Sequence, residues 1–216
     1  MLLVVLNRML RRIHLVDLNY KVTNLFPSSI HSLGISNFDD YKDQLIKETY
    51  QEREKDPIGR RISNYGGWQS DQINIHECKS ETLKEIIIGS LSRFEPLSSS
   101  VSMIIEGWKN INEPGNFNVK HNHPRANLSG VLWIKTPKDS GNIVFTSPQL
   151  FNKFQELDSY KDQFRYNSNS YMTYYFPPTE GIILVFPSSL EHEVEVNKSD
   201  QDRISYSFNI RLVNEK

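Results

Sequence analysis

The stretch Arg203-Ile204-Ser205-Tyr206-Ser207-Phe208-Asn209-Ile210 alternates without a break. On an extended chain, Ile204, Tyr206, Phe208 and Ile210 fall on one side and Arg203, Ser205, Ser207 and Asn209 on the other, because successive strand side chains point to opposite faces. The apolar face belongs against a core. On an ordinary surface strand the polar face meets water. Near the C-terminal end of a barrel-like array it would line an interior binding surface. The segments upstream supply such an array: Val101 to Trp108, Leu128 to Lys135, Asn142 to Thr146, Gly181 to Phe186 and His192 to Val196 all read as strands, punctuated by Pro and Gly clusters. Many short strands after a helical front half predict an α+β fold with a β-sandwich or barrel core.

The front half carries two helical patterns. From Phe38 to Glu52, Phe38, Tyr41, Leu45, Ile46 and Tyr50 recur at helical spacing, with Asn37 as the candidate N-cap. From Glu81 to Phe94, Leu83, Ile86, Ile87, Leu91 and Phe94 form one stripe, with Ser80 placed to cap it. Between them, Ser63-Asn64-Tyr65-Gly66-Gly67-Trp68-Gln69-Ser70 reads as a turn around paired glycines, with a rim for a binding site as the less favoured reading. The stretch from Gln149 to Pro178 is polar and aromatic without a clear period, and reads as a long functional or disordered loop.

A chain of 216 residues suits one domain with a substantial core. Lys plus Arg total 25 and Asp plus Glu 26, a balance that argues against nucleic-acid binding by bulk charge. The single cysteine, Cys78, excludes an internal disulfide and a thiolate-rich zinc site, and fits a reducing, cytoplasmic compartment. Residues 1–24 begin with a short apolar run followed by Arg8, Arg11 and Arg12. The order and length are wrong for a secretory signal and too short for a spanning helix, so this segment reads as an N-terminal extension and residues 25–216 as one domain.

The chemistry is in the histidines. His121-Asn122-His123 precedes a distant His192 by about seventy residues. On a strand, positions i and i+2 share a face, and two imidazoles so placed can converge on one ion with bonds of ~2.0–2.1 Å. A third histidine from a neighbouring strand leaves positions open, as a catalytic metal requires. A bare His-x-His pair is equally at home on a solvated edge. The later Arg203-x-Ser205 adds the second half of a site, because arginine grips a carboxylate through two parallel hydrogen bonds and the serine can donate to the same group. A diacid held by the metal at one end and by Arg203 at the other would fit, and 2-oxoglutarate is such a molecule.

At this point the chain resembles the 2-oxoglutarate/iron(II) oxygenases found in marine bacteria and their phages. The matching stretches are Ser63 to Ser70, His121 to Ile134 (HNHPRANLSGVLWI), Ser140 to Phe145 (SGNIVF), Gly181 to His192 (GIILVFPSSLEH) and Arg203 to Asn209 (RISYSFN). The resemblance implies a double-stranded β-helix of jelly-roll or cupin type, with N-terminal helices packed on the outer sheet. It puts His121 on the second core strand, His192 on the seventh and Arg203 at the start of the eighth. It further implies an iron(II) ion on His121, His123 and His192, 2-oxoglutarate on Arg203 and Ser205, and Trp133 lining the pocket or packing in the core. The reaction would couple oxidation, by hydroxylation, of a small-molecule or peptidyl substrate to conversion of 2-oxoglutarate into succinate and CO2. No membrane partner is expected. One departure stands out: the wider superfamily has a carboxylate at the position of His123. Two other readings remain, a three-histidine cupin enzyme that does not use 2-oxoglutarate and a non-catalytic β-barrel binding or viral structural protein.

Overall fold

The computed structural model describes residues 21, 23, 26–94, 101–149, 161–168 and 171–214; the N-terminal extension expected over 1–24 therefore lies outside the described residues, apart from two positions. In chain order the elements are β1 (His31–Gly34), α1 (Asp39–Lys55), β2 (Asn64–Tyr65), β3 (Trp68–Gln69), β4 (Ile73–Asn74), α2 (Glu81–Leu91), β5 (Val101–Asn112), β6 (Phe117–His121), β7 (Leu128–Lys135), β8 (Ile143–Thr146), α3 (Asp162–Ser168), β9 (Thr173–Phe176), β10 (Ile182–Pro187), β11 (His192–Val194) and β12 (Arg203–Asn214).

The alternating strand is central to the larger sheet. β12 pairs antiparallel with β5 from Arg203↔Asn112 to Asn214↔Val101, and with β7 on its other side. That sheet runs β1-β10-β7-β12-β5-β3, with β4 also on β5, and a smaller sheet runs β2-β6-β11-β8-β9. The consecutive strands β5 to β12 divide between the sheets as β10-β7-β12-β5 and β6-β11-β8-β9, which is a double-stranded β-helix. β6, β11 and β12 are its second, seventh and eighth strands.

Two apolar layers hold it together. Ile204, Tyr206, Phe208 and Ile210 turn outward from the larger sheet and are buried under the helices, in one cluster with Leu45 of α1, Leu83, Ile87 and Leu91 of α2, and Ile111, Leu132 and Val185 of neighbouring strands. Each such side chain contributes ~1.5–3 kcal/mol on burial. The second layer lies between the sheets: Val131, Trp133, Leu184 and Phe186 from the larger sheet meet Ile143 and Phe145 from the smaller one. The polar side of β12 faces into this inter-sheet space, so the strand has both faces buried. No helix among the described residues is long and apolar enough to cross a membrane.

One cap expectation is met and several other expectations are corrected. Ser80 caps α2, its hydroxyl accepting from Leu83 N at 3.1 Å. Asn37 does not cap α1: the cap position is Phe38, without a side-chain bond, and Asn37 Nδ2 donates instead to Asp40 and to the Tyr41 hydroxyl. The stretch 149–178 is not one loop, since it contains α3 and β9, whose Phe176 packs on the inner apolar layer. β5 continues past Trp108 to Asn112. Gly66 and Gly67 have φ of 67° and 56°, which makes the pair a structural turn, and Trp68 beside them is buried in the core rather than on a rim.

Candidate active site

His121 ends β6 and pairs directly with His192, the first residue of β11. Between the pairs His192↔His121 and Val194↔Asn118, one residue of β11 faces two of β6, Val119 and Lys120. This β-bulge reverses the side-chain parity, so Asn118 and His121 both face inward although they are three apart, while Val119 and Lys120 are exposed. His123 is not on the strand, contrary to the parity expected for His-x-His. It lies two residues beyond, in a loop whose path is fixed by His123 N donating to Ser188 O at 2.8 Å and Ala126 N donating to His123 O at 3.2 Å. The loop still delivers its ring. The ligand-capable atoms of His121, His123 and His192 all lie within 4.8 Å of one another.

The rings are in a form that can bind a metal. His121 Nδ1 bonds Val119 O at 2.7 Å and His192 Nδ1 bonds Leu190 O at 2.9 Å. A carbonyl only accepts, so each Nδ1 carries the proton and each Nε2 keeps its lone pair. Burial lowers the pKa of all three. His123 falls to about 4 and His192 to about 3, with the neighbouring His121 a smaller cause in both. All three are neutral at pH 7, the state in which imidazole binds a metal. Phe145 and Phe186 flank the His192 ring, at centroid distances of 5.8 and 4.9 Å, and Trp108 lies 5.8 Å from His123.

The same cavity holds Arg203, which is 1% exposed. Its Nη1 donates to Ser140 O and, at 3.1 Å, to Glu195 O. Gly141 makes this cradle possible. Its φ is 85°, and a Cβ there would stand 2.7 and 2.8 Å from the carbonyl oxygens of Glu195 and Val196, so only glycine lets the two segments that grip Arg203 approach. Nε and Nη2 of Arg203 have no partner. Glu195, the nearest acid to affect it, is taken up by Asn142 N and Nδ2 at 2.9 and 2.7 Å. Burial lowers the Arg203 pKa to about 10, which leaves it a cation at neutral pH with no carboxylate partner among the described residues. Trp133 adds another donor: it lines the cavity, is 1% exposed, and its Nε1 is unpartnered. Its two expected roles, pocket wall and core aromatic, are thus both occupied.

This arrangement suits a cation at one end and an anion at the other. Three neutral imidazoles fit a divalent metal, and a buried guanidinium with two free donor nitrogens fits a carboxylate. Sequence reasoning missed Asn110, Asn112 and Asn118, which also line the cavity. The first two share the face of Trp108 at two-residue spacing, and were lost by ending the strand at Trp108. Asn118 was hidden by the bulge.

Residues 106–209 match the model of a family described as "Putative 2OG-Fe(II) oxygenase". With the fold, this match defines the class: the matched segment is a 2-oxoglutarate-dependent oxygenase domain, and its cofactors are iron(II) and 2-oxoglutarate. The chain is similar in structure to a prolyl-4-hydroxylase of Pseudomonas putida (17% identity, 85% of this chain and 92% of that one, TM-score 0.58). It is similar also to the non-haem α-ketoglutarate-dependent epimerase SnoN of nogalamycin biosynthesis (12% identity, 88% and 79%, TM-score 0.60). A third is a Trichoplax adhaerens prolyl hydroxylase in complex with a hypoxia inducible factor peptide fragment (11% identity, 84% and 83%, TM-score 0.58). These likenesses establish the shared fold. No curated protein matches the chain in sequence.

Proposed function

We propose that this protein is a hydroxylase that couples oxidation of a carbon on a small-molecule or peptidyl substrate to decarboxylation of 2-oxoglutarate, giving succinate and CO2. The observation that carries the reading is the buried guanidinium of Arg203, with Nε and Nη2 unpartnered and no carboxylate beside it among the described residues, in one cavity with three neutral histidines. A three-histidine enzyme without a diacid cosubstrate would have no use for that cation, whose desolvation costs stability unless an anion completes it.

His121, His123 and His192 would hold the iron through ring nitrogens, the first and last through Nε2 because their Nδ1 protons are tied to backbone carbonyls. When bound, the metal and 2-oxoglutarate supply dioxygen activation, chemistry that no side chain of the site can perform. Arg203 would bind the distal carboxylate through Nε and Nη2, with Ser205 and the Trp133 indole N–H as further donors. The Ser140 and Glu195 carbonyls hold Nη1 and leave Nε and Nη2 for a ligand. Phe145, Phe186 and Val131 exclude water around the metal end. The domain would span 25–216 and act in the cytoplasm, on a substrate other than nucleic acid, in keeping with its balanced charge.

The test is a screen of metabolites and short peptides for compounds that stimulate succinate formation by the iron-loaded protein in the presence of ascorbate. Succinate formation that requires 2-oxoglutarate, and is lost in His192→Ala, is the expected result. A protein that binds iron(II) but shows no change in metal-to-ligand charge-transfer absorption on anaerobic addition of 2-oxoglutarate would refute the proposal.

A further inference from the structure

One more buried polar atom in the cavity lacks a partner, Oδ1 of Asn110, on a residue 5% exposed. The rest of that carboxamide is engaged. Nδ2 donates to Ser207 Oγ at 3.0 Å and, over a longer 3.5 Å, to Ser205 Oγ. The strand register explains the geometry: Asn110 of β5 stands opposite Ser205 of β12, and Trp108 opposite Ser207, so the amide lies beside both serines on one face. A hydroxyl that accepts from an amide keeps its own proton for a second acceptor. Among the described residues neither Ser205 nor Ser207 has such an acceptor. The cavity face of β12 thus presents three donors in a row, the guanidinium of Arg203 and the two hydroxyls.

We propose that Asn110 is a positioning residue for the cosubstrate: by donating to Ser205 and Ser207 it holds both hydroxyls as donors toward the bound dicarboxylate. This rests on the reading of the cavity as the 2-oxoglutarate site. Free serine hydroxyls rotate and can accept or donate. Tied to an amide N–H, they are committed to the role an anion needs, and the reorientation cost of binding is lowered.

The experiment is a double-mutant cycle on anaerobic, iron-loaded protein, reading the 2-oxoglutarate dissociation constant by calorimetry. Asn110→Ala weakens binding roughly 10-fold in the wild-type background, the scale of one or two neutral hydrogen bonds. In the Ser205→Ala, Ser207→Ala background it has almost no further effect, because there is nothing left for it to position. Asn110→Asp, of the same shape, accepts from both hydroxyls and adds a negative charge, and weakens binding roughly 100-fold or more. Equal losses from Asn110→Ala in both backgrounds would overturn the proposal, as would an Asn110→Asp variant that binds as well as wild type. Arg203→Ala is run in parallel. If it loses binding while Asn110→Ala does not, only the present inference falls. If Arg203→Ala binds normally, the cosubstrate reading falls and this inference with it.

Discussion

Replacing Arg203 probes the cosubstrate site most directly, and its consequences in the free and bound protein run in opposite directions. The guanidinium is buried, lacks a carboxylate partner among the described residues, and has its pKa pulled down to about 10 by burial. In the free protein such a charge is a cost, and two backbone carbonyls offset only part of it. Arg203→Met, which keeps the length of the stem and removes the charge, should leave the melting temperature of the free protein unchanged or raised. Binding should show the reverse. Nε and Nη2 are the N–H groups left for a ligand. Charge-assisted bonds of this kind are worth ~1.5–3 kcal/mol each, and truncating one partner of a desolvated pair costs ~2–5 kcal/mol. At the low end, with ~1.4 kcal/mol per factor of ten, Arg203→Ala weakens 2-oxoglutarate binding roughly 30-fold. Lysine restores only part of this, since it lacks the planar fork. Iron(II) affinity should barely move in any of these variants. The assay is an anaerobic titration of 2-oxoglutarate followed by charge-transfer absorption, paired with thermal unfolding with and without ligand. An unchanged dissociation constant in Arg203→Ala would sink the argument, and a large fall in the stability of free Arg203→Met would show that the charge is structural.

Three further outcomes follow from the site. His123→Asp, which puts an anionic oxygen ligand in place of a neutral nitrogen, should keep or raise iron(II) affinity; a folded variant that loses iron altogether would show that the loop position tolerates only imidazole. Since His123 and His192 have folded-state values of about 4 and about 3, below the unfolded ~6.5, the unfolded chain binds more protons between those limits. The stability of metal-free protein should therefore be full above pH ~6.5 and decline as pH falls toward 4 in urea unfolding curves, and a flat profile there would contradict the burial argument. Gly141→Ala forces a Cβ against two carbonyl oxygens at a positive φ; it should cost about 2–4 kcal/mol of stability and weaken 2-oxoglutarate binding, measured by the same titration. Wild-type affinity in that variant would separate the loop from the Arg203 cradle.

The parts of the fold written in strict periods were legible. The two-residue alternation from Arg203 to Ile210 placed both faces of β12 correctly, because one face packs under helices and the other turns to the cavity. Ser80 was readable as a cap because a hydroxyl before a helical stripe has one obvious partner. What escaped was irregular. Asn37 has the chemistry of a cap, but its amide is drawn to Asp40 and Tyr41. β9, four residues with three aromatics in a polar stretch, is defined by pairing with β8 rather than by its own pattern. His123 was assigned to the right group for an incomplete reason. A loop anchored on Ser188 delivers it, and no rule of strand parity foresees that.

The bulge in β6 also makes the protein tolerant of a small genetic change. Val119 and Lys120 share the place opposite a single residue of β11, and both side chains lie at the surface. Loss of one codon there would take no side chain from either apolar layer, so the chain would still find its fold. With one of the two gone, the strand would regain its regular two-residue period, Asn118 and His121 would stand at i and i+2, and both would still face inward with His121 opposite His192. An in-frame deletion of one exposed residue would thus yield a protein that folds and keeps its three histidines together. The length of this strand is therefore free to shrink by one residue at the bulge, whereas the same loss anywhere else along it would turn one face of the strand inside out.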